Sequence, residues 1–403
     1  MQLVEKHIIR LNHTLYKECD KLCFASKNIY NQALYLIRQE YETTKTYNVL
    51  NDSYSYMKDK DCFKQLPQKV AQATLRSVHS VCQSFFGLLH STKAQNKNVK
   101  FPHYLHKTNG RYVATFNNQT ISKKVFKKVH KIKLSQCNIE FYTKIDDFSS
   151  INCVRIVPQL EQYTIEVVYT IADIKPLKSN RTYASIDLGV SNLATITYSD
   201  GKQPKIINGK PLKSINQYYN KRLAYYKSKL ETVNKKKTSH RVKRFTNKRN
   251  NKVNTYLHKA SKYIVSDIQS KGITTLVIGK NTEWKTECSI GKVNNQNFIQ
   301  IPHSRFIDML SYKCEKVGIK VRLQEESYTS KCSFLDGEEI CKHETYMGRR
   351  VKRGLFVSKE GRKINADVNG SYNIMKKAIP NAFANGIEGY KLLTKNLRKS
   401  DKL

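Results

Sequence analysis

Between residues 11 and 94, apolar side chains recur at helical intervals. Leu15, Leu22, Ile29, Ala33 and Ile37 make one stripe, and Val70, Leu75, Val78, Cys82, Phe85 and Leu89 make another. Leu66-Pro67 opens the second stripe, since proline fits the first turn of a helix, and Gln68, Gln72, Arg76 and Gln83 lie opposite it. From about 95 to 178 the period shortens to two. The segments RYVATFNN, KKVHKIKLS, CNIEFYT, CVRIVPQ and YTIEVVYTI, separated by polar turns, predict a small antiparallel sheet or barrel. After Asn180 the pattern predicts strands at 183–188, 193–198 and 204–207, then a long basic helical stretch at 209–270. An apolar strand at 273–279, a helix at 303–317 and a strand at 318–327 follow. A turn-rich insert at 329–364 leads to a last helix at 365–379 and a basic, loosely held tail after Pro380.

Charge changes this picture. Lys and Arg outnumber Asp and Glu by 72 to 32, a formal net charge of +40 spread along the whole chain. Such self-repulsion adds nothing to fold stability and fits a polyanion-binding surface. Between Lys221 and Lys252 there are 13 Lys or Arg and one acid, Glu231, so this stretch is expected to lie along a phosphate backbone. Lys235, Lys236, Lys237, Arg241, Lys243, Arg244, Lys248 and Arg249 are its candidate contacts. No run approaches the roughly 18 apolar residues of a transmembrane helix, and MQLVEKHIIR lacks the apolar core of a signal peptide. No membrane partner is expected, and the chain reads as cytoplasmic or nucleoid-associated. Ten irregularly spaced cysteines read as reduced core thiols.

Candidate chemistry centres on carboxylates. Asp187, in SIDLGVSNLATI, ends an apolar strand that folds straight back, and Gly189 is expected to leave backbone room beside it. Asp367 falls in the first turn of the last helix, where an acid also complements the helix dipole. Each taken alone has a plain structural use, as a turn or helix-start residue. Three meandering strands followed by alternating helices and strands is the order of an RNase H-like α/β fold. On such a sheet both acids would converge on divalent metal, with two ions roughly 3.5–4 Å apart.

The phrases LPQKVAQATLRSVHSVCQSFF, SIDLGVSNLATI, YTSKCSFLD and NADVNGSYNIMKK resemble those of TnpB, the transposon-encoded RNA-guided nucleases related to type V CRISPR effectors. The resemblance covers about residues 8 to 378. It implies an α+β multidomain protein in which a helical recognition domain (11–94) is inserted in a wedge-like β-barrel (1–10 and 95–178). An RNase H-like RuvC nuclease domain (179–328 and 365–380) follows, with a degenerate zinc-ribbon-like insert at 329–364 and a basic tail at 381–403. It maps the first and last catalytic acids onto Asp187 and Asp367, with Mg²⁺, two ions, as cofactor. The partners implied are a guide RNA from the transposon end and a double-stranded DNA target, bound by a monomer.

Two departures from the family pattern stand out. The glutamate that usually closes the fourth strand is replaced by Gly279. Glu283 and Glu287 in the next loop, or Glu325 and Glu326 at the end of the fifth strand, are available instead. Glu326 is the choice, because a strand end holds a ligand more rigidly than a loop and a related branch keeps an acid there. Cys332, Cys341 and His343 offer three of the four ligands of a zinc ribbon, at poor spacing, so zinc is not expected. The insert is instead expected to pack Phe334, Leu335, Tyr346, Met347, Leu355 and Phe356. Gln68 and Gln72 match the family position that reads a short target-adjacent motif, and glutamine pairs bidentately with adenine. Asn117, Asn118 and Gln119 are weaker candidates, and Trp284 is expected to pack behind the fourth strand. The expected function is RNA-guided DNA cleavage. The alternatives are a nuclease-dead, guide-dependent repressor and, further off, an RNase H-like transposase.

Overall fold

The computed structural model describes residues 1–46, 50–91, 99–281, 300–384, 386–392 and 395–396, which fall into two compact units, Met1–Ala172 and Asp173–Leu403.

In the first unit β1 (Gln2–Arg10) precedes α1 (Tyr16–Thr44), α2 (Leu50–Met57), α3 (Asp61–Lys64) and α4 (Gln68–Leu89). Then come β2 (Ala114–Asn117), α5 (Lys123–Val129), β3 (Lys131–Lys133), β4 (Glu140–Tyr142), β5 (Ile151–Gln159) and β6 (Gln162–Thr170). The two helical stripes bury as their spacing requires. Leu22, Ile29, Ala33 and Ile37 of α1 share one core with Val70, Leu75, Val78 and Cys82 of α4 and with Phe116, Ile156 and Ile165 of the sheet. Pro67 stands at the N-cap of α4, where its missing N–H leaves no helical bond unmade.

Among the described residues the expected barrel is not closed. The long strands form an open antiparallel sheet in the order β1-β6-β5-β2, and β3 and β4 pair as a separate hairpin. Closure would need β1 and β2 to pair. Part of the reason is local. KKVHKIKLS is not one strand: Ser122 caps α5 by accepting from the Val125 amide at 3.4 Å, and left-handed His130 (φ 55°) ends it. Only Lys131–Lys133 remains to pair.

A charged cluster holds α1 to this sheet. Arg111 donates twice to Asp20 (2.8 and 2.9 Å), and the Tyr163 hydroxyl donates to the same carboxylate at 2.5 Å. Burial pushes the Asp20 carboxyl up, but the Arg111 and Tyr163 hydrogen bonds outweigh it and hold it below the usual range. Asp20→Ala should therefore cost about 2 kcal/mol, the size of a charge-assisted hydrogen bond, read as a lower urea midpoint.

The second unit is built on one mixed sheet. Its elements are β7 (Tyr183–Leu188), β8 (Asn192–Tyr198), β9 (Lys205–Asn208), α6 (Lys210–Asn234), α7 (His240–Ser270) and β10 (Thr275–Gly279). After these come α8 (His303–Glu315), β11 (Lys320–Gln324), β12 (Arg349–Lys352), β13 (Leu355–Val357), β14 (Lys363–Ile364), α9 (Ala366–Ala378) and β15 (Lys395–Asn396). The strand order is β11-β10-β7-β8-β9-β15. β7, β8 and β9 meander antiparallel, whereas β10 runs parallel to β7, and β11 to β10.

Strand alternation sorts side chains between the two faces. Ala184, Ile186, Ala194, Ile196, Leu276 and Ile278 share a core with α7 and α8. Ser185, Thr197 and Val277 face α9 on the other side, where Val277 packs on Ile374 and Ala378.

Three expectations need correction here. The basic stretch is a helical hairpin and not one rod. Lys235 turns left-handed (φ 49°), and Ser239 caps α7 by accepting from the Val242 amide, so Lys235, Lys236 and Lys237 lie in the connecting loop. The insert packs Phe334, Leu335 and Phe356 with Val368 and Tyr372, but Met347 is 47% exposed and Tyr346 sits edge-on to His343. Nor are the described residues after Pro380 loose. Phe383, Ile387, Tyr390 and Leu392 pack on the same cluster, the Tyr390 hydroxyl donates to the Ser199 carbonyl, and β15 pairs parallel with β9.

Candidate active site and nucleic-acid surface

Asp187 occupies the α9 face of β7 because it is in phase with Ser185, and β7 is antiparallel to β8 there, with Asp187 opposite Thr195. On the neighbouring β10, Ile278 stands beside Ile186, which brings Gly279 next to Asp187 at the strand ends. The room expected beside Gly189 is not available to a ligand. A Cβ there would lie 2.6 Å from the Asn192 carbonyl oxygen, so Gly189 serves the tight turn into β8. The acid's clearance comes instead from Gly370 on α9, where a Cβ would fall 2.8 Å from Asp187 Oδ2.

Glu326 fills the gap left at position 279. A Cβ on Gly279 would meet Glu326 Oε1 at 2.0 Å and the Ile374 methyl at 2.7 Å, so the carboxylate stands where the usual side chain would begin. Its backbone is fixed from both directions. The Glu326 amide donates to Asn281 Oδ1 at 2.9 Å, and its carbonyl accepts from the Thr329 amide (3.1 Å) and hydroxyl (2.8 Å). Glu325 is engaged elsewhere, accepting from Lys377 at 2.6 Å and from the Ser327 amide. Glu283, Glu287 and Trp284 lie outside the described residues.

Asp367 comes from the first turn of α9. Asn365 caps this helix by accepting from the amides of Asp367 (2.9 Å) and Val368 (3.3 Å). Asn192 donates to Asp367 Oδ2 at 2.6 Å, and Arg350 from β12 lies 3.4 Å from Oδ1. Behind the acids, Ser185, Thr197 and Ser371 interlock through buried hydroxyls. One turn apart, Asn369 and Asn373 each bond the Cys332 carbonyl (2.9 and 2.7 Å), tying the segment after Glu326 to α9.

Charge is crowded at this point. Burial first, then the Glu326 and Asp367 carboxylates, push Asp187 well above the usual range, and Arg350 offsets this only in part. Burial, then Glu325, pushes Glu326 up to about 7. Glu326 Oε1 is buried without a hydrogen-bond partner. Hard oxygen donors, one of them unsatisfied, in a site with excess negative charge fit Mg²⁺ better than a softer metal. Among the described residues no group of three or more His, Cys, Asp or Glu is placed to hold a metal ion, so Asp187, Glu326 and Asp367 are neighbours here and not a formed three-acid site. In the insert, Cys341 Sγ lies 3.3 Å from His343 Nε2, while Cys332 Sγ points at the Cys341 carbonyl oxygen, 3.6 Å away.

The basic hairpin exposes Lys235, Lys236, Lys237, Arg241, Arg244 and Lys248, whereas Lys243 and Arg249 are half-buried. In the first unit Gln68 donates to the Tyr54 hydroxyl at 3.0 Å, and hydrogen bonds from Gln68 and then Gln72 hold that phenol below its usual range. Arg76 is exposed on the same helix. Asn118 has a structural task, donating to the Ile151 carbonyl at 2.8 Å.

Sequence reasoning missed Tyr54, Asn192, Asn281, Arg350 and Gly370. The one readable signal was Asn365, Asn369 and Asn373 at four-residue spacing, a polar stripe along the last helix. Among the described residues no helix is long and apolar enough to cross a membrane, and the described cysteines are free thiols.

Comparison with known proteins agrees with this chain order. Residues 166–285 match the OrfB_IS605 family, described as a probable transposase, and residues 303–374 match the Cas12f1-like TNB domain. A curated relative, the TnpB-like protein ORF457 of Acidianus two-tailed virus, is 24% identical over 217 residues, 50% of this chain and 43% of that protein. The chain thus spans about two fifths of that relative's length. Among solved structures, a Cas12f1–sgRNA–target DNA complex aligns at 12% identity with a TM-score of 0.37, covering 94% of this chain and 100% of that one. Alicyclobacillus acidoterrestris C2c1 with single-guide RNA aligns at 8% identity and a TM-score of 0.43, covering 89% of this chain and 66% of that one. The two family matches, in the C-terminal part of the chain, and the TnpB-like relative make it similar to TnpB proteins.

Proposed function

We propose that the protein is an RNA-guided DNA endonuclease of transposon origin, with Asp187, Glu326 and Asp367 as its metal-binding carboxylates on an RNase H-like, RuvC-type sheet. The observation that carries this reading is Glu326 Oε1, buried, unpaired and seated in the space of the missing 279 side chain beside Asp187. Bound Mg²⁺ would supply a hydroxide nucleophile and neutralise charge on the phosphodiester. The chain's own residues do the positioning. Asn281 and Thr329 fix the Glu326 backbone, Asn192 orients Asp367, and Gly370 lets the helix approach Asp187. Arg350 adds a cation on the side of Asp367, where a phosphate oxygen could be met.

The guide RNA, the duplex target, the monomeric state and a nucleoid location rest on the resemblance to TnpB proteins and on the +40 charge. Gln68 and Gln72, held by Tyr54, are assigned to the target-adjacent motif, and the basic hairpin to the phosphate backbone. A nuclease-dead, guide-dependent DNA-binding protein is the second reading, favoured by the absence among the described residues of any three His, Cys, Asp or Glu placed to hold a metal ion.

The test is plasmid cleavage in Mg²⁺ by protein co-expressed with RNA flanking its gene. Cutting by the parent and none by Asp187→Ala supports the nuclease. Cutting that survives Asp187→Ala overturns it. Guide-dependent binding by a parent that never cuts selects the second reading, and the absence of co-purifying RNA removes the guide.

A further inference from the structure

The basic hairpin carries more than charge. Phe245 of α7 is the hub of an aromatic cluster, stacked on Tyr219 (centroids 5.4 Å apart, 22° between planes) and edge-on to Tyr218 and Tyr226, both at 5.9 Å. Three arginines brace the rings. Arg222 lies 5.2 Å over Tyr226 and 5.5 Å over Tyr225, Arg241 lies 4.8 Å over Tyr226, and Arg249 lies 4.8 Å over Tyr219. Tyr219, Tyr226 and Phe245 are half-buried or buried, as a small core would have them.

Tyr218 and Tyr225 are different. They are 61% and 52% exposed, although each is fixed at one edge, Tyr218 by Phe245 and Tyr225 by Tyr226. Seven residues apart on α6, they lie on the same face about two turns apart, with exposed Lys221 between them. Packing does not account for two large rings, each held at one edge yet more than half exposed, on the most basic segment of the chain. Aromatic platforms interleaved with cations suit unpaired bases, each of which offers a π-face, while the cations follow the backbone. A duplex hides those base faces, so phosphate binding alone would leave both tyrosines without a task.

We propose that Tyr218 and Tyr225 form a stacking platform for single-stranded DNA. The choice of DNA rests on the nuclease reading above, in which opening a duplex target releases one unpaired strand near the unit that holds the acids. Electrostatic complementarity supports the occupant: 13 cations to one acid between Lys221 and Lys252.

The experiment is fluorescence anisotropy in EDTA, so that nothing is cut, with full-length protein and labelled strands of about 20 nucleotides. The probes are a thymidine strand, an abasic strand of equal length, the same sequence as RNA, and a duplex. Tyr218→Ala/Tyr225→Ala should bind the thymidine strand roughly 10- to 100-fold more weakly, and Tyr218→Phe/Tyr225→Phe should bind like the parent. The alanine variant should bind the abasic strand and the duplex as the parent does. Parent protein that binds thymidine and abasic strands equally overturns the platform, as does an equal loss on both in the alanine variant. A loss confined to the RNA strand overturns the choice of DNA. None of these results depends on cleavage, so the platform and the nuclease reading can fail separately.

Discussion

Glu326→Gln should cut plasmid DNA at least ~10²-fold more slowly than the parent, the usual loss when one preorganised group that stabilises developing charge is removed. Gly279→Ala should do nearly as much without touching an acid. Its new Cβ would stand 2.0 Å from Glu326 Oε1, so the carboxylate must leave. The converse change makes the argument specific. Gly279→Glu/Glu326→Gly returns the acid to the fourth strand, and Ile374→Val makes room for it, since the Ile374 methyl is 2.7 Å from that Cβ. This triple variant should recover a large part of the activity. If Glu326→Gln cuts like the parent while Glu287→Gln does not, the third acid belongs to the loop and the assignment to Glu326 is lost.

The second large effect is on stability, and its sign depends on metal. Without a divalent ion, Asp187 and Glu326 are burial-disfavoured charges, so Asp187→Asn and Glu326→Gln should melt above the parent in EDTA at pH 8. The pH dependence follows from Glu326, whose carboxyl is raised from 4.5 to about 7 in the folded state. Between those values the folded chain binds more protons than the unfolded one, so this group's contribution falls as pH rises and is flat below 4.5 and above 7. The full span is up to about 3 kcal/mol, or several °C. It appears as a gap between Glu326→Gln and parent that opens from pH 4.5 to 7. Adding Mg²⁺ should raise the parent and leave both variants in place. A parent that melts no lower than its variants in EDTA, or that ignores Mg²⁺, would contradict the crowded-acid description.

Much of this site could be read from residues, because periodicity carries it. Alternation along β7 put Asp187 opposite the Ile186 core face, and the Asn-Ala-Asp start put Asp367 in the first turn of its helix. Strand parity put Glu325 and Glu326 on opposite faces, but the choice of Glu326 came from the resemblance, and Glu325 is bound to Lys377. What escaped was whatever depends on approach between distant segments. Gly189 carried the apparent signal for room beside the acid, whereas Gly370, 183 positions from Asp187, provides it. The barrel was over-read because alternating sequence cannot say whether a sheet's two edges meet. The hairpin break was obscured by three consecutive lysines, which are good helix formers, although Thr238-Ser239 marked the new helix start. The apolar residues after Pro380 follow no period, so their docking on Tyr372 was invisible.

That docking sets an order of events during synthesis. Chains fold from the N-terminus as they emerge. Asp187 and its first neighbouring strands are made before Asp367, the asparagines that anchor the Glu326 segment and the strand that pairs with the β9 edge. A growing chain therefore exposes its basic hairpin to nucleic acid long before it holds a full set of carboxylates. On the nuclease reading proposed above, binding would mature before cutting, and a prematurely terminated copy would occupy DNA without being able to break it.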